Sequence, residues 1–381
     1  MRRGDATARL RAVQASRSPQ ELTDALDDPS PEVVRAAIGR LTELEGPRAA
    51  DALRARLLDA DLSLVADFAN ALKRIGARGV VEAATAALGD ERYSRRLAAV
   101  RALGALGDRR AVAHVRTKLN DDVAGVRAAA LDALAQLGDG TSVGADCARL
   151  LTDPMPHVRI AAVRAVARLV THPGGLLVAA EDDEDRLVRL EVAKHLAGLP
   201  EPSARALLAD PNLRVREAAA ASAGIRQLGA LSVLLIEDPS PDVRRACAHT
   251  LGAMRDRRVA DVLIPAIEDP DALVRAAVLH ALERLLRREG AARRLCDELV
   301  CERPERRRAA VYALARLNTR DRGPELSRLA DDPDPDVRLA LIHSAEALHD
   351  EPELLMRYLA ADSDPGVRQA AEMWLLRAGR R

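Results

Sequence analysis

The residues of this 381-residue chain that could do chemistry are eight histidines, four cysteines and two dense runs of charge. Cys296 and Cys301 form a C-x4-C pair. Five residues apart on one helix, two side chains diverge by about 140°, which makes them poor joint ligands for a metal. Small buried hydrophobes are the expected role for both. The run EDDED, Glu181 to Asp185, could hold a hard cation, but it lacks the Gly and the ligand spacing of a calcium loop and reads as solvated surface. An Arg-rich stretch from Arg284 to Arg308 would attract phosphate, except that Glu283, Glu289, Asp297, Glu298, Glu302 and Glu305 interrupt it. Gly-rich phosphate loops, a GxSxG elbow and an HExxH pair are all absent. No catalytic, cofactor or metal site is expected, and the sequence points to binding instead.

Composition agrees with a helical array. Hydrophobic residues make up 48% and aromatics 1%, so the apolar content is mostly Ala, Leu and Val, side chains that let helices pack closely. Lys and Arg together number 58, as do Asp and Glu, so the whole chain has no electrostatic bias toward nucleic acid or anionic lipid. Nearly every basic residue is Arg, the lysines being Lys73, Lys118 and Lys194, a usage that fits a GC-rich bacterial genome. Four scattered cysteines give no disulfide framework, and no apolar run has the length of a signal peptide or a membrane span. A cytoplasmic protein is expected.

The elements that must position any binding residue follow from a repeat. A turn of the form Asp-Pro-x-x-x-Val-Arg recurs as DPMPHVR, DPNLRVR, DPSPDVR, DPDALVR, DPDPDVR and DSDPGVR. Anchored on its Arg position, it falls at Val34, Val65, Arg96, Arg127, Arg159, Arg189, Arg216, Arg244, Arg275, Arg308, Arg338 and Arg368, spaced 27 to 33 residues apart. Six residues before each anchor stands an acid, Glu302 in the tenth repeat and Asp in the others. Val34 and Val65 depart from the pattern at the start of the array, where an atypical end repeat is expected. After each anchor the period becomes helical, as in Val126, Ala129, Ala130, Ala133, Leu134 and Leu137, and a second amphipathic segment runs on to the next acid. Pro31, Pro156, Pro241, Pro335 and Pro365 suit the first turn of a helix, and Ser30 and Ser240 are candidate N-caps. The expected fold is all-α, a solenoid of about twelve helical hairpins over residues 1–381. Shortened repeats anchored at Arg189 and Arg216, with a THPGGLL break before them, predict an irregular stretch around residues 170–237.

These residues resemble the HEAT-like repeats of the phycobilisome-lyase type over essentially the whole chain. The resemblance implies that the turn Asp and the anchor Arg form a ladder between neighbouring repeats. A residue type found in nearly every unit marks scaffold rather than one site. Enzymatic relatives were tested residue by residue. HEAT-like deoxyhypusine hydroxylases hold two irons with His-Glu pairs, whereas the residues after the eight histidines here are Val, Val, Pro, Leu, Thr, Ala, Ser and Asp. HEAT-like alkylpurine DNA glycosylases need aromatics around an exposed nucleotide, whereas Phe68, Tyr93, Tyr312, Tyr358 and Trp374 are dispersed along the chain. Trp374 reads as a cover for the open end of the core.

Stacked hairpins would form an elongated arc on the order of 100 Å long, with one concave wall built by the anchor helices. Six residues after each Val position lies a column outside the apolar stripe, and its cationic members are Arg101, Arg164, Lys194, His249, His280 and His343. These six residues form the candidate binding groove, which should become more basic below about pH 6.5. The expected function is that of a non-catalytic scaffold whose groove binds an acidic peptide or helix of a protein partner. A lyase-like auxiliary subunit and a nucleic-acid-binding array are the alternatives.

Overall fold

The computed structural model describes residues 5–378 apart from 45, 139, 257, 318–322 and 349–351. Every regular element among them is a helix. The chain packs as two compact units, residues 1–200 and 201–381. Within each, anchor helices such as Tyr93–Leu106, Ala124–Leu137 and Pro156–Leu169, or Pro241–Ala253, Pro304–Leu317 and Pro335–Leu348, alternate with shorter outer helices. Within a unit, each anchor helix packs on the next.

The sequence explains these helices locally. Ala124–Leu137 is rich in Ala and Leu, and its predicted stripe from Val126 to Leu137 is buried along its whole length. Gly107 at φ 71° and Gly138 at φ 75° end two anchor helices in the left-handed conformation that only glycine adopts without strain. All five prolines singled out in the sequence occupy the first residue of a helix. Ser240 does not cap its helix, however. The turn acid acts instead, since Asp238 Oδ1 accepts the N–H of Ser240 at 2.8 Å.

Between repeats the Asp/Arg ladder is built from two halves of each guanidinium. Arg127 Nη1 donates to the Asp121 carbonyl of its own turn at 2.9 Å, while Nε and Nη2 grip Asp153 of the next turn at 2.8 and 3.0 Å. Asp153 Oδ1 also accepts the N–H of Met155 at 2.9 Å. The same bidentate rung joins Arg96 to Asp121 and Arg159 to Asp183 in the first unit. In the second it joins Arg216 to Asp238, Arg244 to Asp269, Arg307 to Asp332 and Arg338 to Asp362. Asp121, Asp153, Asp238, Asp269 and Asp332 are buried, so water does not compete for these pairs.

Two registers differ from the sequence reading. In the tenth repeat the ladder residue is Arg307, not Arg308, and the residue six before it is Cys301, not Glu302. Arg307 Nη1 bonds the carbonyls of Cys301 and Glu302 at 2.8 and 2.9 Å, and its fork takes Asp332. Three consecutive arginines, 306 to 308, had offered three anchors. Pro304 selects the right one, because it opens its helix three residues before Arg307, as Pro241 does before Arg244. The ladder also begins before Val34: Arg9, on the Ala6–Ala15 helix, grips Asp28 at 2.8 and 3.2 Å.

Between residues 170 and 237 the anchor helices themselves are short, 8 residues in Arg186–Ala193 and 9 in Leu213–Ala221, against 14 in Pro156–Leu169. In Ala272–Asp297 an anchor helix and its outer helix follow one another across a break at Arg287, whose φ of 59° and ψ of 167° lie where a side chain is strained. Arg287 is exposed. Replacing Arg287 with Gly is expected to stabilise the chain by about 0.5–1 kcal/mol, strain relief outweighing the added freedom of the unfolded chain. A rise in the urea midpoint at constant slope would register it.

Candidate functional site

All six predicted column residues are exposed, five of them on anchor helices and Lys194 at the cap just past Arg186–Ala193. In the first unit the chain satisfies them itself. Arg101 Nη1 donates to the Leu62 carbonyl at 2.8 Å, Arg164 pairs with Asp132 at 3.3 Å, and Lys194 pairs with Glu191 at 2.6 Å. Burial pushes the Asp132 carboxyl above its ordinary range, with Arg164 and Arg101 acting against that rise. Arg164 and Lys194 are thus paired with carboxylates, whereas Arg101 meets a neutral carbonyl and keeps its charge.

In the second unit His249 and His343 line two different recesses, and His280 lines neither of them. His249 lies in a cleft of about 660 Å³ between the Leu213–Ala221 and Pro241–Ala253 helices. Partial burial there, followed by the nearby His280, Arg245 and Arg284, holds the His249 imidazole below its ordinary pKa. Protonation at His249 therefore needs more acid than the pH 6.5 expected for a free imidazole.

His343 lies in the larger recess, a groove of about 1360 Å³ along the anchor helices that begin at Ala272, Pro304, Pro335 and Pro365. Tyr312 faces it from the preceding helix, its hydroxyl 3.4 Å from His343 Nδ1. Tyr312 is the true column residue of the tenth repeat, whereas Ala313, which the one-residue register error had put there, is buried. Met373, the last member of the column, lines the same groove.

The groove is lined by apolar side chains, by the cations Arg275, Arg308, Arg316 and Arg377, and by the acids Glu268, Asp269, Glu305 and Glu346. Leu279, Tyr312, Ile342, Met373 and Trp374 supply the apolar surface. Trp374 also packs partly buried against the terminal core of Met356, Leu359, Val367 and Ala371, so it covers the end of the core and lines the groove at once. Two aromatics that are dispersed in sequence thus meet in one recess. Among the cations, Arg308 pairs with Asp336 at 3.1 Å. Arg275, Arg316 and Arg377 are exposed, and no described carboxylate pairs with any of them. Sequence reading missed Arg316 and Arg377 because each stands one helical turn beyond the column, four residues after Tyr312 and Met373.

The other chemical candidates resolve into scaffold. Within EDDED, Asp183 takes the Arg159 rung and Asp185 caps Leu187, so two of the five acids are structural rather than simply solvated. Cys147 and Cys247 are buried, and burial pushes each thiol up to about 12. Cys296 and Cys301 are half-buried rather than core residues, and Cys301 lies past the helix end in the turn before Pro304. Most of the Arg-rich stretch is neutralised: Arg294 by Asp261 and Glu298, Arg303 by Glu268, Arg307 by Asp332. Among the described residues no helix is long and apolar enough to cross a membrane.

Hairpins stacked through a buried Asp/Arg ladder, with an open face along the anchor helices, define an α-solenoid. The family profile described as HEAT repeats matches residues 65–135, 228–297 and 292–375, more than half of the sequence, and the chain belongs to that family. No curated protein matches it. The chain also aligns with the crystal structure of an engineered protein from the Northeast Structural Genomics Consortium, at 18% identity over 94% of this chain and 98% of that one. The TM-score is 0.32, a level at which no geometry transfers.

Proposed function

We propose that this chain is a non-catalytic scaffold that binds an acidic, amphipathic segment of a protein partner in the groove of residues 267–377. One observation carries the reading: three arginines with no carboxylate partner among the described residues, Arg275, Arg316 and Arg377, line the same groove as the apolar side chains of Tyr312, Met373 and Trp374. Arg, Trp, Tyr and Met are the residue types enriched where protein interfaces concentrate their binding energy. Exposed arginines with no internal carboxylate give up no existing ion pair when a partner's acid approaches, unlike Arg164 or Lys194. The finer likeness to phycobilisome-lyase repeats rests on ladder residues, which supply scaffold, and is not extended to chromophore attachment.

The test uses helical peptides with acids along one edge and Leu, Met or Phe along the other, selected by display against the folded chain. Fluorescence anisotropy should show that Arg316→Glu combined with Arg377→Glu weakens the selected peptides at least about tenfold. Arg101→Glu combined with Arg164→Glu should leave them bound. Equal affinity for all three proteins would place binding elsewhere, and tighter, steeply salt-dependent binding of single-stranded DNA would favour nucleic acid as the partner.

A further inference from the structure

We propose that Arg275 is a ladder arginine whose missing acid is supplied by the bound partner, as an aspartate or glutamate side chain of the segment in the groove. The inference rests on the groove reading above and names the contact within it.

The seven rungs built by Arg96, Arg127, Arg159, Arg216, Arg244, Arg307 and Arg338 use their arginine in the same way. Nη1 is tied to the carbonyl of its own turn, and the Nε–Nη2 edge is aimed at the turn acid of the next repeat. Arg275 has the first half of this arrangement. Its Nη1 donates to the carbonyls of Asp269 at 2.7 Å and Pro270 at 2.9 Å, much as Arg244 Nη1 holds Asp238 at 2.8 Å. It lacks the second half, because the next repeat carries Cys301 where the others carry an acid. A thiol has one sulfur where a carboxylate has two oxygens, and it cannot accept a forked pair of N–H groups as a carboxylate does.

The consequence is visible in exposure. Arg244, Arg307 and Arg338 are buried, whereas Arg275 is exposed and lines the groove. Its guanidinium is thus held through Nη1 by two carbonyls, and Arg275 lines the groove together with Leu279 and Tyr312. A planar fork held in place loses little freedom when it binds a carboxylate, which favours a bidentate contact over a loose surface pair. Glu305 lines the same recess without pairing to Arg275, so it opposes the incoming acid through like charge and sets a cost that only a well-placed carboxylate overcomes.

Cys301→Asp provides a direct test, since it would fill the rung from within. The probes are the display-selected peptides above, amidated so that every carboxylate is a side chain. The variant should melt at a higher temperature than the parent, and it should bind these peptides about tenfold more weakly, the scale of a charge-assisted hydrogen bond lost. Cys301→Ala should change neither property. A scan of the peptide acids to Asn and Gln should find one position whose loss weakens binding to the parent chain but not to Arg275→Gln, a coupling that two independent sites would not show. Glu305→Gln should tighten binding. A Cys301→Asp chain that binds as the parent does, or a lower melting temperature in it, would overturn the vacant-rung assignment while leaving the groove intact. Peptide binding indifferent to Arg316 and Arg377 would overturn the groove and the rung together.

Discussion

Replacing Asp153 with Ala is expected to cost about 3–5 kcal/mol of stability, a large share of what a folded domain of ordinary stability possesses. The carboxylate is buried and serves two neighbours, gripping Arg127 at 2.8 and 3.0 Å and accepting the Met155 N–H at 2.9 Å. Its removal leaves the Arg127 fork, whose side chain is only 14% exposed, without its acid, with Nη1 still tied to the Asp121 carbonyl. The penalty is therefore that of an uncompensated charge, larger than the worth of the pair against an apolar substitute. Asp153→Asn tests the same point with less change of shape. Burial alone would raise the Asp153 pKa, but Arg127 and the Met155 N–H outweigh it and hold the carboxyl below its ordinary value. A depressed folded-state pKa contributes stability that is complete above the unfolded value, about 3.9, and is lost as pH falls through the folded one. The gap between the parent and Asp153→Asn should then be constant near neutrality and narrow below about pH 4. Urea titrations at several pH values would measure it, and a gap that stays constant down to pH 2 would show that the rung is not the source.

That ladder explains why the fold was legible in the sequence. A rung needs an acid and a guanidinium at fixed places in every turn, so the solenoid writes its period directly into the chain. Where rung chemistry changes, the period misleads. Cys301 removed the acid, Glu302 offered a substitute one residue later, and the register slipped to Arg308. Arg9 was missed for the opposite reason: Val34 and Val65 interrupt the pattern between it and Arg96.

The site was less legible because a groove is wider than one column of side chains. His343 and Met373 were found by stepping along equivalent positions, whereas Arg316 and Arg377 lie a turn further along their helices and enter the same recess. Charge alone also misled. Arg101, Arg164 and Lys194 look equivalent to Arg316 in sequence, and only the structure shows that Leu62, Asp132 and Glu191 already hold them. The useful quantity is charge left over after internal ion pairing, which depends on contacts 3 to 32 residues apart in the chain.

Gly174 and Gly175 should respond in opposite directions to the same substitution. The pair reads as a chain break in sequence, yet in the structure it opens the short Gly174–Leu177 helix. Gly174 is buried, and a Cβ built on it would stand 1.9 Å from the Gly198 carbonyl oxygen and 2.8 Å from its carbon. No rotamer can relieve that overlap, because the obstacle is backbone. The Leu196–Gly198 turn would have to move, and Leu196, Leu199 and Leu177, all buried, would move with it. Overpacking a core costs about 1–3 kcal/mol when side chains can yield, so Gly174→Ala should cost at least about 3 kcal/mol. At exposed Gly175 a Cβ meets nothing within 4 Å. Ala there should stabilise the chain by about 0.4–1 kcal/mol through helix propensity and a less flexible unfolded chain. Thermal melts of the two single variants, prepared side by side, would separate these effects. A Gly174→Ala chain as stable as its Gly175→Ala counterpart would mean that the two backbones do not approach as closely as the 1.9 Å overlap requires.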